Sequence, residues 1–265
     1  MNDIATRQVL TDIATRAGEV LLTHFRKLAK GDINTKGGRI RDLVTIADTE
    51  SEQVILEAIA REFPGTGILS EESGAVAEGA DLFIIDPLDG TTNYSQGLQH
   101  FGVSIGLKSG GRTVAGVIHI PVLNETFYAA LGEGATRNGQ PIRVSPRSQP
   151  AELFLATGFA CVRAGKEVNN LQNFVHIHTR VRELRRLGAC TVDMCYTACG
   201  IFDGFFEMDL SPWDVCAGGL MVTEAGGMVT DLDGGDDWQQ GKSILASNGL
   251  VHQWLSHNIP VHWTR

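Results

Sequence analysis

Apolar residues recur at Ile4, Leu10, Ile13, Ala17, Val20, Leu21 and Phe25, a helical period that predicts a helix over 3–26. The next stretch, KLAKGDINTKGGRIRD at 27–42, loses that period. It is rich in glycine and charge and is expected to be a flexible loop. A second helix is expected over 47–62, closed by FPGTG. The rhythm then shortens to apolar runs at 67–70, 82–86, 101–108, 113–120 and 125–131. Glycine-containing turns separate several of them, the pattern of an antiparallel meander. The Asn-Gly pair in RNGQPIRVS adds a hairpin signal.

Beyond residue 150 the pattern changes. Strands are expected at 153–159, 182–188 and 203–210, alternating with helices at 166–180, 190–200 and 213–227. Two short strands and a last helix follow. Such alternation belongs to layered α/β folds. One domain is expected over 1–265, with a soft subdomain boundary near 150 at SPRSQPAE.

Charge and composition narrow the function. The chain of 265 residues carries a formal net charge of -9. An acidic chain lacks the basic surface that nucleic-acid binding needs, so no nucleic-acid partner is expected. No run approaches the length of a membrane span, so no membrane partner is expected either. The N-terminal stretch carries acids inside an amphipathic pattern, unlike a secretory leader. Cys161, Cys190, Cys195, Cys199 and Cys216 are odd in number and lack C-x-x-C spacing. That argues against disulfides and zinc, and makes a reducing cytoplasm the expected location.

The acids sit at the ends of expected elements. Asp48 opens a helix, Glu71 and Glu72 follow a strand, Asp86 and Asp89 follow another, and Asp214 opens a third element. Brought together, such carboxylates repel one another, and a divalent cation reverses that cost. Hard cations such as Mg²⁺ take oxygen ligands and can share a bridging carboxylate. In DPLDGTT, two acids flank a proline turn, so both side chains and the Leu88 carbonyl can face one site. Gly90 permits a sharp turn, the amides after it can meet a phosphate, and Thr91 can orient a water. Any one of these acids alone reads as a helix cap or a solvated turn; the spacing in DPLDGTT favours the metal reading. The histidines form no ligand pattern and read as packing or surface residues.

With DLVTIAD, SEESG, DPLDGTTNY and PWDVCAGGLMVTEAGG in this order, the chain resembles the inositol monophosphatase family of Mg²⁺-dependent, lithium-sensitive phosphatases. RNGQPIRVS and RRLGACTVDMCYTACGIFDGFFE extend the resemblance, which covers about 36–250. It implies an α/β fold, a five-layered α-β-α-β-α sandwich, as a homodimer. It implies two Mg²⁺ ions, with room for a third near Glu71. Glu71, Asp86 and the Leu88 carbonyl would hold the first ion; Asp86, Asp89 and Asp214 the second. Thr91, hydrogen-bonded to Asp48, would position the attacking water for in-line hydrolysis. Asp89, Glu207 and Asp214 would meet the substrate's hydroxyls, beside Gly90, Thr91 and the backbone of Gly188, Ala189 and Cys190. Lys36 resembles the family's mobile-loop lysine, although one extra residue separates it from Asp48. Position 190 is Cys where a small Ala or Ser is usual.

The substrate implied is a small sugar or polyol monophosphate, with inositol 1-phosphate first. Fructose 1,6-bisphosphate and histidinol phosphate are alternatives on the same scaffold. A second phosphate would need cationic side chains, and Arg182 to Arg186 is the region that offers them. A haloacid-dehalogenase phosphatase is a poorer match, because its D-x-D-G-T motif spaces the acids one residue closer. A metal-bearing interaction module without catalysis is the non-enzyme alternative.

Overall fold

The computed structural model describes residues 4–36 and 43–261. Helices α1 (Ile4–His24) and α2 (Ile46–Glu62) bracket a short hairpin of β1 (Ile33–Thr35) and β2 (Leu43–Thr45). The flexible loop expected over 27–42 is therefore corrected in part. Ile33 to Thr35 pair antiparallel with Thr45 to Leu43, and this ladder satisfies backbone groups that a loop would leave to water. Residues 37–42 lie outside the described residues.

Strands β3 (Gly67–Ser70), β4 (Gly74–Ala77), β5 (Asp81–Asp89), β6 (Gly102–Ser109), β7 (Arg112–Ile120), β8 (Glu125–Ala130), β9 (Gly134–Arg137) and β10 (Gln140–Pro141) form one sheet. Their spatial order is β10-β9-β8-β7-β6-β5-β3-β4. The run from β5 to β10 is the expected meander. One pair departs from it, because β3 lies parallel to β5 while β4 closes the edge.

A short helix α3 (Thr91–Ser95) follows β5. The second half contributes β11 (Phe154–Thr157), α4 (Ala160–Arg163), α5 (Leu171–His178), β12 (Glu183–Arg185) and α6 (Cys190–Ala198). It continues with β13 (Gly204–Leu210), α7 (Pro212–Glu224), β14 (Met228–Thr230), β15 (Lys242–Ser247) and α8 (His252–Asn258). The helix expected over 166–180 begins later, at Leu171, whose N–H donates to the Asn169 side chain at 3.1 Å. The five strands run β12-β11-β13-β15-β14. Among the described residues no helix is long and apolar enough to cross a membrane.

Three buried clusters separate five layers. Leu10, Leu21 and Ile55 pack against Phe83 and Ile105 on the outer face of the large sheet. Val192, Met194, Val215 and Leu220, from α6 and α7, fill the space between Ile118 and Phe127 of one sheet and Phe205 and Ile244 of the other. Ile177 and Leu255, from α5 and α8, cover Phe206 and Leu245 on the far face. Strand alternation explains this sorting, since Phe205 and Phe206, one residue apart, serve opposite layers. The order is α-β-α-β-α.

Missing side chains set how closely α7 approaches the large sheet. A Cβ on Gly106 would lie 2.5 Å from Cys216 Sγ, and one on Gly116 would lie 3.0 Å from Ala217 Cα. The central strands β6 and β7 thus receive the helix nearly backbone to backbone, and this fixes where α7 begins. Gly106→Ala should cost about 1–3 kcal/mol through overpacking. Removing the sulfur with Cys216→Ala should restore part of that loss. Urea denaturation of the two single variants and the double variant measures the coupling.

Candidate active site

In a regular strand, residues 86 and 89 would face opposite sides, because side chains alternate. The ladder prevents this. Asp86 pairs with Ser104 but Asp89 pairs with Gly102, so β5 advances three residues while β6 advances two. The extra residue is a bulge, and it brings both carboxylates to one side. Pro87 is tolerated there because a bulge leaves a residue without a ladder bond. Its carbonyl accepts the Ser51 hydroxyl at 2.9 Å, and the Leu88 N–H donates to Asp86 Oδ1 at 3.0 Å. Gly90 then takes φ 87°, and a Cβ on it would lie 2.9 Å from the His100 carbonyl.

Other elements converge on this bulge. Asp214 comes from the first turn of α7, where its carboxylate accepts the Ser211 N–H at 2.6 Å. One ligand oxygen each from Asp86, Asp89 and Asp214 lies within 4.8 Å of the others. Glu71 follows β3, tied to β5 by its N–H on the Ile85 carbonyl at 3.1 Å. Asp48 caps α2, accepting the Thr45 N–H at 2.8 Å and the Thr45 hydroxyl at 2.6 Å. The other Asp48 oxygen lies 3.3 Å from the Thr91 hydroxyl, which also lies 3.1 Å from the Leu88 carbonyl.

A cavity of about 120 Å³ brings together Glu71, Asp86, Leu88, Asp89, Thr91 and Asp214, with Gly90 and Gly188 in its wall. A neighbouring cavity of about 70 Å³ shares Asp89, Gly188 and Asp214 and adds Ala189, Cys190 and Glu207. A wider opening of about 510 Å³ holds Lys36, Glu71 and Trp213. Lys36 sits between two acids, its Nζ 2.6 Å from Glu71 Oε1 and 2.7 Å from Glu72 Oε1. Burial works against the Lys36 charge, yet Glu71 and Glu72 hold the ammonium above its usual range.

The carboxylates carry the electrostatic cost of this assembly. Burial, reinforced by Glu71, Asp89 and Asp214, pushes Asp86 well above the ordinary carboxylate range. Burial, with Glu71 and Asp89, does the same to Asp214. Asp89 is pushed up to about 6 by burial, held back by the Thr191 N–H at 2.7 Å and the Thr191 hydroxyl at 2.6 Å. Asp48 rises to about 6 and Glu207 to about 7, again by burial. Among the described residues no Lys or Arg forms an ion pair with Asp86, Asp89 or Asp214. Arg163 lies near enough to oppose part of the Asp89 shift but forms no ion pair with it, and the donors are all hard oxygens. The set fits a divalent cation of the Mg²⁺ or Ca²⁺ type.

Sequence reasoning missed four residues of this region. Thr191 binds Asp89. Gly158 lets the Glu207 carboxylate lie against backbone that a Cβ would block at 2.0 Å. Arg163, on the unexpected helix α4, borders all three cavities. Asp193 lines the Glu207 cavity. The acid at 193, three residues after Cys190, was the one visible signal; the others announce nothing locally. Arg186 lines the same cavity, whereas Arg182 and Arg185 border a separate outer groove with Arg147. Cys190 is buried and its thiol pushed up well above its ordinary value, which leaves it unsuited as a nucleophile.

This fold and cluster define a phosphatase, a phosphoric monoester hydrolase of the metal-dependent kind. The chain belongs to the inositol monophosphatase family, whose model matches residues 5–262. An inositol-1-monophosphatase from Mesorhizobium japonicum is 37% identical over 254 residues, covering 95% of this chain and 94% of its own length. The Nus factor SuhB of Pseudomonas aeruginosa is 38% identical, covering 96% of this chain and 97% of its own. The crystal structure of extragenic suppressor protein suhB from Bartonella henselae superimposes with a TM-score of 0.89 at 37% identity, covering 97% and 98%.

These pKa shifts set a pH dependence. A carboxylate held above its unfolded value stabilises the fold fully below about pH 4, and that contribution is lost as pH rises through the folded value. For Asp48, Asp89 and Glu207 that loss begins at about pH 4 and is complete by about pH 6 to 7. Cation binding needs the deprotonated acids. The melting-temperature gain from added Mg²⁺ should therefore be small near pH 5 and grow through neutrality. It should reach about 5–10 °C at a hundredfold excess over the dissociation constant. Thermal melts with Mg²⁺ and with chelator across that range check this.

Proposed function

We propose that this protein is a Mg²⁺-dependent phosphatase of small polyol or sugar monophosphates, with inositol 1-phosphate the leading substrate. The observation that carries this reading is the bulge. It sets Asp86 and Asp89 beside Asp214 of α7 around one cavity, opening onto a second cavity lined by Glu207. The name inositol-1-monophosphatase borne by a relative of 37% identity supports the choice of substrate.

In this reading Glu71, Asp86 and the Leu88 carbonyl hold one ion, Asp86, Asp89 and Asp214 a second, and Glu71 borders room for a third. Bound Mg²⁺ supplies Lewis acidity to the phosphoryl oxygens and lowers the pKa of water. The chain's own groups do the positioning. The Thr91 hydroxyl has one proton and two acceptors, Asp48 Oδ1 and the Leu88 carbonyl, so its lone pairs stay available to orient a water. Asp48, pushed up to about 6, is matched near neutral pH to accept the Thr91 hydroxyl proton as Thr91 takes one from that water. The backbone at Gly90 and Thr91 receives the phosphate. Asp89, Glu207, Asp214 and the backbone of Gly188 to Cys190 hold the alcohol's hydroxyls. Lys36 pairs with Glu71 at the cavity mouth and offsets the charge of that acid. We further propose a homodimer in the cytoplasm, a location supported by five free cysteines.

Phosphate release from inositol 1-phosphate, fructose 1,6-bisphosphate, histidinol phosphate and phosphoadenosine phosphate, with Mg²⁺ and then with chelator, tests the reading. Release from inositol 1-phosphate that stops on chelation is expected. Absence of release from all four by folded protein would sink it. Asp89→Asn should lower turnover by about a hundredfold or more, because a ligand charge is lost at constant volume. Near-normal activity would reject that ligand assignment. Lithium at millimolar concentration should inhibit by competing at the second ion's position, which a titration of the rate reads directly.

A second reading is favoured by one observation: relatives of equal similarity bear the name Nus factor SuhB. A binding role would then accompany or replace catalysis. An Asp89→Asn protein that still rescues a strain lacking this chain would support it.

A further inference from the structure

Asp193 occupies the first turn of α6 and is 1% exposed. It lines the cavity of about 70 Å³ together with Glu207, Asp89 and Arg186. Its Oδ1 is buried and accepts no hydrogen bond among the described residues. The contrast with its neighbours is direct. Asp89 Oδ2 accepts two bonds from Thr191, and Glu207 Oε1 accepts the Ala160 N–H at 3.0 Å. A buried acceptor without a donor costs free energy comparable to a lost hydrogen bond, and folded proteins retain few of them. Burial, with Glu207 and Asp89 nearby, also pushes Asp193 well above the ordinary carboxylate range, and Arg186 only partly opposes this.

We propose that Asp193 is a specificity-determining residue whose carboxylate accepts a hydrogen bond from a hydroxyl on the alcohol half of the substrate, in the cavity it shares with Glu207. This rests on the phosphatase reading and extends it. With Glu207, the cavity then presents two acceptors to a polyhydroxylated ring. Esters of alcohols without such hydroxyls leave Asp193 unpaired, and a site built around polar partners rejects an analogue that lacks them.

The test compares myo-inositol 1-phosphate with cyclohexyl phosphate, the same ring without hydroxyls, on the Mg²⁺-loaded full-length protein. The ratio of kcat/KM between the two esters should fall about tenfold in Asp193→Leu, which keeps the branching at Cγ and removes the acceptor. Asp193→Asn should recover most of that ratio, because its amide oxygen still accepts. The melting temperature of ligand-free Asp193→Leu should equal or exceed that of the wild type, since an orphaned acid has been removed. A purely structural Asp193 predicts the opposite: a lower melting temperature and an equal loss on both esters, and that pattern would overturn the proposal. An unchanged ratio would overturn it as well. If the wild type hydrolyses neither ester, the phosphatase reading fails separately. Calorimetric binding of myo-inositol itself then decides. Binding weakened about tenfold in Asp193→Leu supports the role of Asp193, while equal binding or none by the wild type refutes it.

Discussion

Three carboxylates meet at the end of one strand with no ion-pair partner among the described residues, and the rest of the molecule is arranged to hold them there. Asp86, Asp89 and Asp214 repel one another, and burial strengthens that repulsion. Nothing local to DPLDGTT would keep them together. The β5 bulge does so from one side, because its extra residue cancels the alternation that would part Asp86 from Asp89. Helix α7 does so from the other, because glycines in β6 and β7 let it approach the sheet almost to backbone contact. The electrostatic cost is borne by packing until a cation offsets it.

The two cavities divide the chemistry between them. One is walled by hard oxygens and the Thr91 to Asp48 contact; the other is walled by buried acids and the turn at Gly188. Asp89 belongs to both, held by Thr191 through two short hydrogen bonds. A single side chain can therefore serve an ion and an alcohol together, which would couple recognition to catalysis in the proposed reaction. Lys36 has a different relation to the site. It is an ion-pair partner of Glu71 and Glu72 from outside the carboxylate cluster, next to a two-stranded ladder rather than on the main sheets.

The order of elements was legible along the chain because apolar period and turn chemistry are local properties. The runs at 67–70, 113–120 and 203–210 lie on strands, and PWDVCAGG opens a helix with Ser211 as its cap. Element ends were less legible. Helix α5 starts five residues late, where the Leu171 N–H bonds the Asn169 side chain, and local hydrogen bonds of that kind compete with helix formation. The parallel pairing of β3 with β5 was hidden, since pairing direction depends on where the chain returns, not on composition.

The candidate site divides in the same way. The amino-acid sequence by itself determined the acids, the turn that joins two of them and the family pattern that they make together. Those are matters of residue type and spacing. Only the tertiary structure decided which distant groups answer them: Thr191 on Asp89, Gly158 beneath Glu207, Arg163 at the junction of the cavities, and an acceptor on Asp193 with no partner among the described residues. Each depends on two segments meeting across the sandwich. Burial and hydrogen-bond satisfaction exist only once that meeting has taken place.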